Sequence, residues 1–458
     1  TGVPLNVTDG VIGKDGNMYF AVGGRGTQSA LYRVKYSGSD SIAAIKTKVS
    51  SETKLREIRR SMGVYHGQAV EGAVDKIWPN LGHADRYIRY AARVALEHQP
   101  VVEWQEKALE EEDMQTSLSA LLALSRQGDA ALKDDILGSL STLTVSEMSE
   151  SQKLEALRVM GLTFIRMGGP DDETAQEIAE AISPLYPAST DAMNRELVAM
   201  LVYLKADDVL AKTIPLMNQD AAGLEEIEFD DKLLARSGQY GRTFQNQKAN
   251  NPQRQQIWYA YALKNVSEGW NENLRKQFFS WYAKSRNFKG GASFEGFLNN
   301  FRNESLSKIQ DANLRAEMDS LSKKQIALVP EGFEDARILK VGAKPEMKFD
   351  IEKLEAKAGE MIGIEFINND PTGLMHNLAV CAPGSRQKVV ASALTIGPKA
   401  IEQNFVPDIP EVIASTPQVA PGRKYTLYMK VPSKAGDYTY VCTYPGHGQV
   451  MFGTLKVK

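Results

Sequence analysis

One short string near the C-terminus constrains this chain more than any other feature: Cys442-Thr443-Tyr444-Pro445-Gly446-His447-Gly448-Gln449-Val450-Met451. It is flanked by Tyr438 to Val441 and by Gly453 to Val457, both of which alternate in the manner of β-strands. A loop tied at both ends by paired strands can hold a thiol, an imidazole and a thioether in fixed relative positions. Upstream, His376 and Asn377 open another apolar run, Leu378-Ala379-Val380, and supply a second imidazole.

The chemistry follows from the donor types. Two imidazoles and a thiolate in a trigonal plane, with a distant thioether on the axis, make a type 1 copper site. Thiolate and thioether suit Cu(I), imidazole suits both oxidation states, and ligands fixed by the fold change little when the electron arrives. His376, Cys442, His447 and Met451 are therefore the expected ligands of one copper. The bland alternative makes Cys442 a small buried hydrophobe and Met451 core filler. It leaves two of the chain's five histidines flanking a thiol by coincidence. The second cysteine, Cys381, has no intrachain partner except the expected ligand, so it reads as a partly buried free thiol. Two cysteines make no disulfide framework, and no C-x-x-C-H is present for haem.

Length and charge narrow the classes further. At 458 residues the chain is too long for a single core, so two or three domains are expected. A formal net charge of -3 argues against a nucleic-acid partner. No run is apolar for long enough to predict a transmembrane helix. The opening TGVPLNVTDG carries no signal peptide, which reads as a mature form or a fragment.

Three segments are expected. Residues 1–38 read as a β-hairpin, with a turn at Asp15-Gly16, strands around Met18–Val22 and Leu31–Tyr36, and a Gly-rich turn at Gly23-Gly24-Arg25-Gly26. It resembles part of the closing blade of a β-propeller in bacterial sugar-dehydrogenase-like proteins. Residues 39–330 read as all-helical, because apolar positions recur every three or four residues in IRYAARVALEHQ, SLSALLALSRQG, KLEALRVMGLTFIRMG and ELVAMLVYL. Asp85-x-x-x-Arg89 with the alanines after it resembles a HEAT-type repeat, which implies an α-solenoid. The run Phe278, Phe279, Trp281, Tyr282 reads as core packing, with a docking surface as its alternative. Residues 331–458, entered near Pro330-Glu331-Gly332, read as a Greek-key β-sandwich interrupted by a helical or irregular insertion at KVVASALTIGPKAIEQNF.

The ligand loop, together with His376-Asn377 and Gly453-Thr454-Leu455, resembles the azurin and auracyanin branch of the small blue copper proteins, a cupredoxin fold. The resemblance implies that Asn377 hydrogen-bonds to Thr443 and ties the two ligand segments together. It implies that His447 is the exposed ligand, whose imidazole edge carries the electron in and out. It implies an exported protein of the bacterial periplasm or outer surface. Azurins place Gly before the first histidine and use its carbonyl as a weak axial contact; Met375 stands here instead. Residues 371–385 and 438–455 carry no Asp, Glu, Lys or Arg, so a neutral face containing Leu374, Met375, Pro445, Val450 and Phe452 is expected to dock redox protein partners.

An electron-transfer protein is the leading reading, with the helical segment as scaffold. The alternatives are the redox end of a larger propeller dehydrogenase, or a helical interaction module with its own protein partner and a subsidiary copper domain. His66, His83 and His98 have no metal-ligating neighbour at helical spacing, so further copper sites are not expected.

Overall fold

The structure is a computed structural model and describes residues 7–24, 27–40, 52–222, 253–288, 293–324 and 329–458. The Arg25-Gly26 half of the expected Gly-rich turn, and residues 326–328 at the expected domain border, lie outside the described residues. The chain divides into two compact units, one holding the N-terminal strands and the other the helices together with the C-terminal sandwich.

The N-terminal strands form an antiparallel sheet of three strands rather than the expected two-stranded hairpin: β1 (Val7–Ile12), β2 (Met18–Gly24) and β3 (Thr27–Val34). The strand that sequence reading missed, VTDGVI, has Asp and Gly at its centre, which masks its alternation. The expected turn at Asp15-Gly16 is present, with Gly16 at φ 74°. Phe20 stacks on Tyr32 across β2 and β3, with ring centroids 5.1 Å apart.

The helices begin where short polar side chains can accept the free N–H groups of a first turn. Asp85 caps Arg86–Glu97, Asp113 caps Met114–Gln127, Ser149 caps Glu150–Met167 in a reciprocal box with Gln152, and Thr190 caps Asp191–Tyr203. All four expected helical runs begin within these helices and extend one or two residues past their ends. The Asp85 and Arg89 pair of the HEAT-like motif shapes this entry: Asp85 accepts from Tyr87 and Ile88, and Arg89 donates to the His83 and Ala84 carbonyls. The four helices pack in succession, each against the next, and the last packs on Arg254–Leu263. Phe278, Phe279, Trp281 and Tyr282, on helix Glu272–Ser285, are all buried in the core, so they form no docking surface.

The C-terminal sandwich draws on β4 (Asp220–Ala221), β5 (Arg337–Lys344), β6 (Lys348–Phe349), β7 (Lys353–Ala356), β8 (Met361–Asn368), β9 (Ala379–Cys381), β10 (Val412–Ser415), β11 (Arg423–Lys430), β12 (Gly436–Val441) and β13 (Phe452–Val457). One sheet runs β10-β9-β12-β13-β7 and the other β4-β11-β8-β5-β6. Alternation in β8 buries Ile362, Ile364 and Phe366 in one core with Phe349 of the same sheet and Tyr440 and Leu455 of the facing sheet. Tyr440 lies flat over Gly453, where an added Cβ would come within 2.3 Å of its ring, so only glycine fits. The expected insertion is helix Arg386–Leu394 followed by a short 3-10 turn at Gly397–Lys399.

β4 comes from the helical segment, not from the sandwich. It pairs antiparallel with β11, Ala221 opposite Arg423 and Asp220 opposite Lys424. The join is buried and polar. Gln219 donates to the Gln418 carbonyl at 2.6 Å and accepts from the Ala420 N–H at 2.9 Å. Behind it, Gln256 donates to the Gln219 carbonyl, and the indole of Trp281 donates to Gln256. Asp191 of the helical segment pairs with the buried Arg423.

An ion pair fastens the start of β5. Arg337 makes two hydrogen bonds to Glu360, at 2.8 and 3.0 Å, and the Lys357 N–H donates to the same carboxylate at 2.7 Å. The Arg337 guanidinium, with help from that N–H, holds the Glu360 carboxyl down to about 2. Unfolded, this group titrates near 4.3, so its contribution is complete above that pH and disappears as pH falls toward about 2. Glu360→Gln is expected to cost about 1 kcal/mol at pH 7, since the pair is partly solvated. The cost should fade in acid. Denaturant midpoints of both proteins at pH 7 and near the acid limit check this; an equal deficit at both pH values would contradict it.

Candidate metal centre

Three of the four expected ligands meet at one end of the sandwich. Cys442 follows directly on β12, and His447 opens a short 3-10 turn after Gly446, whose left-handed φ of 84° turns the chain back. Main-chain bonds close this loop: the Met451 N–H donates to the His447 carbonyl at 2.9 Å, and the Cys442 N–H to the Met451 carbonyl at 3.0 Å. His376 enters from the other side, held by an isolated bridge to Val419 just before β9. The donor atoms converge: Cys442 Sγ lies 3.9 Å from His376 Nδ1 and 3.7 Å from His447 Nδ1, and the two nitrogens are 3.1 Å apart. Met451 is fully buried in the same core cluster as Cys442.

For metal–nitrogen bonds of about 2.0 Å and a metal–sulfur bond of about 2.3 Å, a trigonal plane spaces its donors by about 3.5 and 3.7 Å. The observed triangle has that size. Its chemistry also fits a cation. Burial pushes the Cys442 thiol up to about 12 and the His447 imidazole down to about 4, the latter helped by its neighbour His376. Burial lowers His376 as well, partly offset by Asp370. Two neutral imidazole nitrogens and a sulfur facing one another in a dry pocket lack a common partner, and a soft metal ion supplies it.

Asn377 joins the two ligand segments as expected. Its Nδ2 donates to Thr443 Oγ1 at 2.7 Å, and its Oδ1 accepts the Thr443 N–H at 2.7 Å. Nδ2 also reaches the Asn404 carbonyl at 3.0 Å, a bond the sequence did not suggest. Asn404 and Phe405 both hold left-handed backbone, at φ 53° and 57°, within the insertion. Phe405 packs on Tyr444, and Tyr444 on His447, with centroids 5.1 and 4.7 Å apart.

Three expectations about the surroundings need correction. His447 is only 4% exposed, because the Tyr444 ring and the closed loop cover most of its edge. Met375 does not join the outer face; it packs against the core of the helical segment. Leu374, Pro445, Val450 and Phe452 are exposed, yet the face they share is not free of charge. Arg386, the first residue of the insertion helix, donates to the Gly448 carbonyl at 2.8 Å and lies 3.9 Å over the Phe452 ring. Sequence windows that end at Ser385 miss it by one residue.

Asp370 was also missed. It follows β8 in the turn Asp370-Pro371-Thr372-Gly373, and its carboxylate lies 2.9 Å from His376 Nε2. A polar side chain in a Pro-Gly turn reads as surface; here Pro371 and Thr372 are exposed, but Asp370 is buried. Burial pushes the Asp370 carboxyl up, but hydrogen bonds from His376 and Thr372 overcome this and leave it below the usual range. The remaining histidines lie elsewhere: His83 Nδ1 accepts the Asp85 N–H, and His66 Nε2 lies 2.9 Å from the Ala91 carbonyl. Cys381 ends β9 and is fully buried, its thiol pushed up to about 12 by that burial.

A β-sandwich that gathers a buried thiol and two imidazoles between two strand-linked loops defines a small copper-binding domain. Residues 336–458 match the model of the copper binding proteins, plastocyanin/azurin family, and through this domain the chain belongs to that family. It is 32% identical over 123 residues to auracyanin-A of Chloroflexus aurantiacus, covering 26% of this chain and 73% of that protein. It is 37% identical over 90 residues to azurin iso-2 of a Methylomonas species, covering 19% of this chain and 67% of that protein. Among solved structures, reduced auracyanin of Roseiflexus castenholzii matches with 26% identity, 27% of this chain, 98% of that chain and a TM-score of 0.24. Copper is the cofactor of the domain.

Proposed function

We propose that this protein is a one-electron carrier whose copper would be held by His376, Cys442, His447 and Met451. The observation that carries the reading is the buried donor triangle, built on two strand-tethered loops. Bound copper supplies a couple between Cu(I) and Cu(II). The protein holds the donors still through Asn377 and Thr443, and excludes water by burying all of them.

His447 is the route for the electron, reached through the Tyr444 and Phe405 rings as well as its own narrow edge. A redox protein partner docks on Leu374, Pro445 and Val450, with Arg386 adding a single cation at the rim. Contact with that partner is brief and only weakly salt-dependent.

The domain borders are assigned at 1–38, 39–330 and 331–458. The helical part is assigned as a HEAT-like α-solenoid, which its one-after-another helix packing supports. It serves as scaffold or docking arm, and the protein works in the periplasm or outside the cell. A second reading, the redox end of a propeller-type dehydrogenase, is favoured by the N-terminal sheet. Val7, Val11, Ile12 and Leu31 are exposed there, as on a blade that lacks neighbours. A coding sequence that opens with an export signal directly before Thr1 would sink this second reading.

Titration with Cu(II) tests the main one. One equivalent should produce an intense visible thiolate-to-copper band, bleached by one electron per chain and restored by an oxidant. Copper that binds without colour, or colour that does not cycle, would overturn the proposal.

A further inference from the structure

Asp370 is a buried carboxylate at the metal centre. It is 2% exposed, and among the described residues its one ionic partner is His376, with no Lys or Arg paired to it. Its two oxygens have divided tasks. Oδ1 accepts from the Thr372 N–H at 2.9 Å and from the Thr372 hydroxyl at 2.7 Å, while Oδ2 faces His376 Nε2 at 2.9 Å. The turn itself is fixed from below by Asn368, which accepts the Asp370 N–H and donates to the Leu374 and Val419 carbonyls.

A carboxylate only accepts hydrogen bonds, so the imidazole proton sits on Nε2 and the Nδ1 lone pair points at Cys442 and His447. Burying a lone carboxylate against a neutral ring is costly. A cation on the far side of that ring offsets the cost, because electron density pushed through the imidazole strengthens Nδ1 as a donor.

Resting on the ligand assignment above, we propose that Asp370 is a positioning residue of the copper centre: its carboxylate fixes the tautomer and orientation of His376 and biases the site toward Cu(II) over Cu(I). The residue therefore stabilises the loaded protein more than the metal-free one. That difference separates it from an ordinary structural hydrogen bond.

The test uses the full chain. Asp370→Asn keeps the shape and an accepting oxygen but removes the charge. It should weaken Cu(II) relative to Cu(I) by about 10–100-fold, which at about 59 mV per tenfold for one electron is a rise in reduction potential of about 60–120 mV. The copper-free variant should lose little stability, and should gain less than the parent on loading. Thr372→Val, which removes the hydroxyl bond to Oδ1 but keeps the main-chain N–H bond, leaves more charge on the carboxylate; it should lower the potential by a smaller amount, and decides the question if Asp370→Asn fails to fold. Nitrogen NMR of the copper-free parent should find the His376 proton on Nε2. An Asp370→Asn variant that keeps the blue band with an unchanged or lowered potential, or a Thr372→Val variant with a raised one, would overturn the proposal, as would a proton on Nδ1. A parent protein that never turns blue would instead refute the ligand assignment on which it rests.

Discussion

Replacing Cys442 with alanine abolishes the visible thiolate-to-copper band on addition of Cu(II), while the protein remains folded. The colour depends on one sulfur, because Cys442 is the only cysteine at the site; Cys381 lies at the end of β9 and faces a different cluster. Loss of a single buried sulfur leaves a cavity smaller than those of leucine-to-alanine substitutions, so the cost to the metal-free fold should be about 1 kcal/mol. His376 and His447 remain and still take up Cu(II), but weakly and without the band. Absorption and denaturation measured on the same samples check both halves. A variant that stays blue would show that the sulfur donor is not Cys442.

The second large effect is expected at Asn377, which touches no metal. Its amide makes all three of its bonds inside the protein, to the Thr443 hydroxyl, the Thr443 N–H and the Asn404 carbonyl. Asn377→Ala leaves the buried Thr443 N–H without its partner, at about 1–3 kcal/mol, while the half-buried Asn404 carbonyl keeps the bond from Gln418. It also releases the left-handed pair Asn404 and Phe405, whose backbone these bonds help to hold. Stability should fall by about 2–4 kcal/mol, and copper retention against a chelator by about 10–100-fold. Asn377→Asp keeps the acceptor but loses the donor, and should lie between. If Asn377→Ala unfolds and releases copper like the parent, the tie between the two ligand segments does not support the site.

What could be read from the sequence was whatever is local in the chain. The spacing from Cys442 to Met451 lies within one loop, so donor types and flanking alternation sufficed to find it. The same holds for the helical runs and for the insertion, whose helix ends at Leu394, just before Gly397 and Pro398. What escaped reading depends on contacts between distant residues. Asp370 looks like a surface turn until β8 and the bridge at His376 fold it beneath the imidazole. Met375 belongs by its neighbours to a neutral rim, yet the helical core claims its side chain. Burial of His447 depends on Tyr444, and on Phe405 nearly forty positions upstream. β4, two residues long, has no periodicity to read at all.

That small strand bears on how such a protein can be inherited or cut. Sheets in independent modules usually end in an edge guarded by their own residues. Here the edge of β11 is covered by a piece of another segment. The buried cation Arg423 next to it finds its counter-charge on Asp191, and the main chain at 418–420 is satisfied by Gln219. A copper module excised near residue 331 would bare an unpaired strand, an orphaned guanidinium and open main-chain groups within one patch. All three invite self-association. The segment that pairs with the first imidazole is also the one that Gln219 grips, since Val419 lies between its two contacts. The two parts are therefore better regarded as one inheritable piece than as beads on a string.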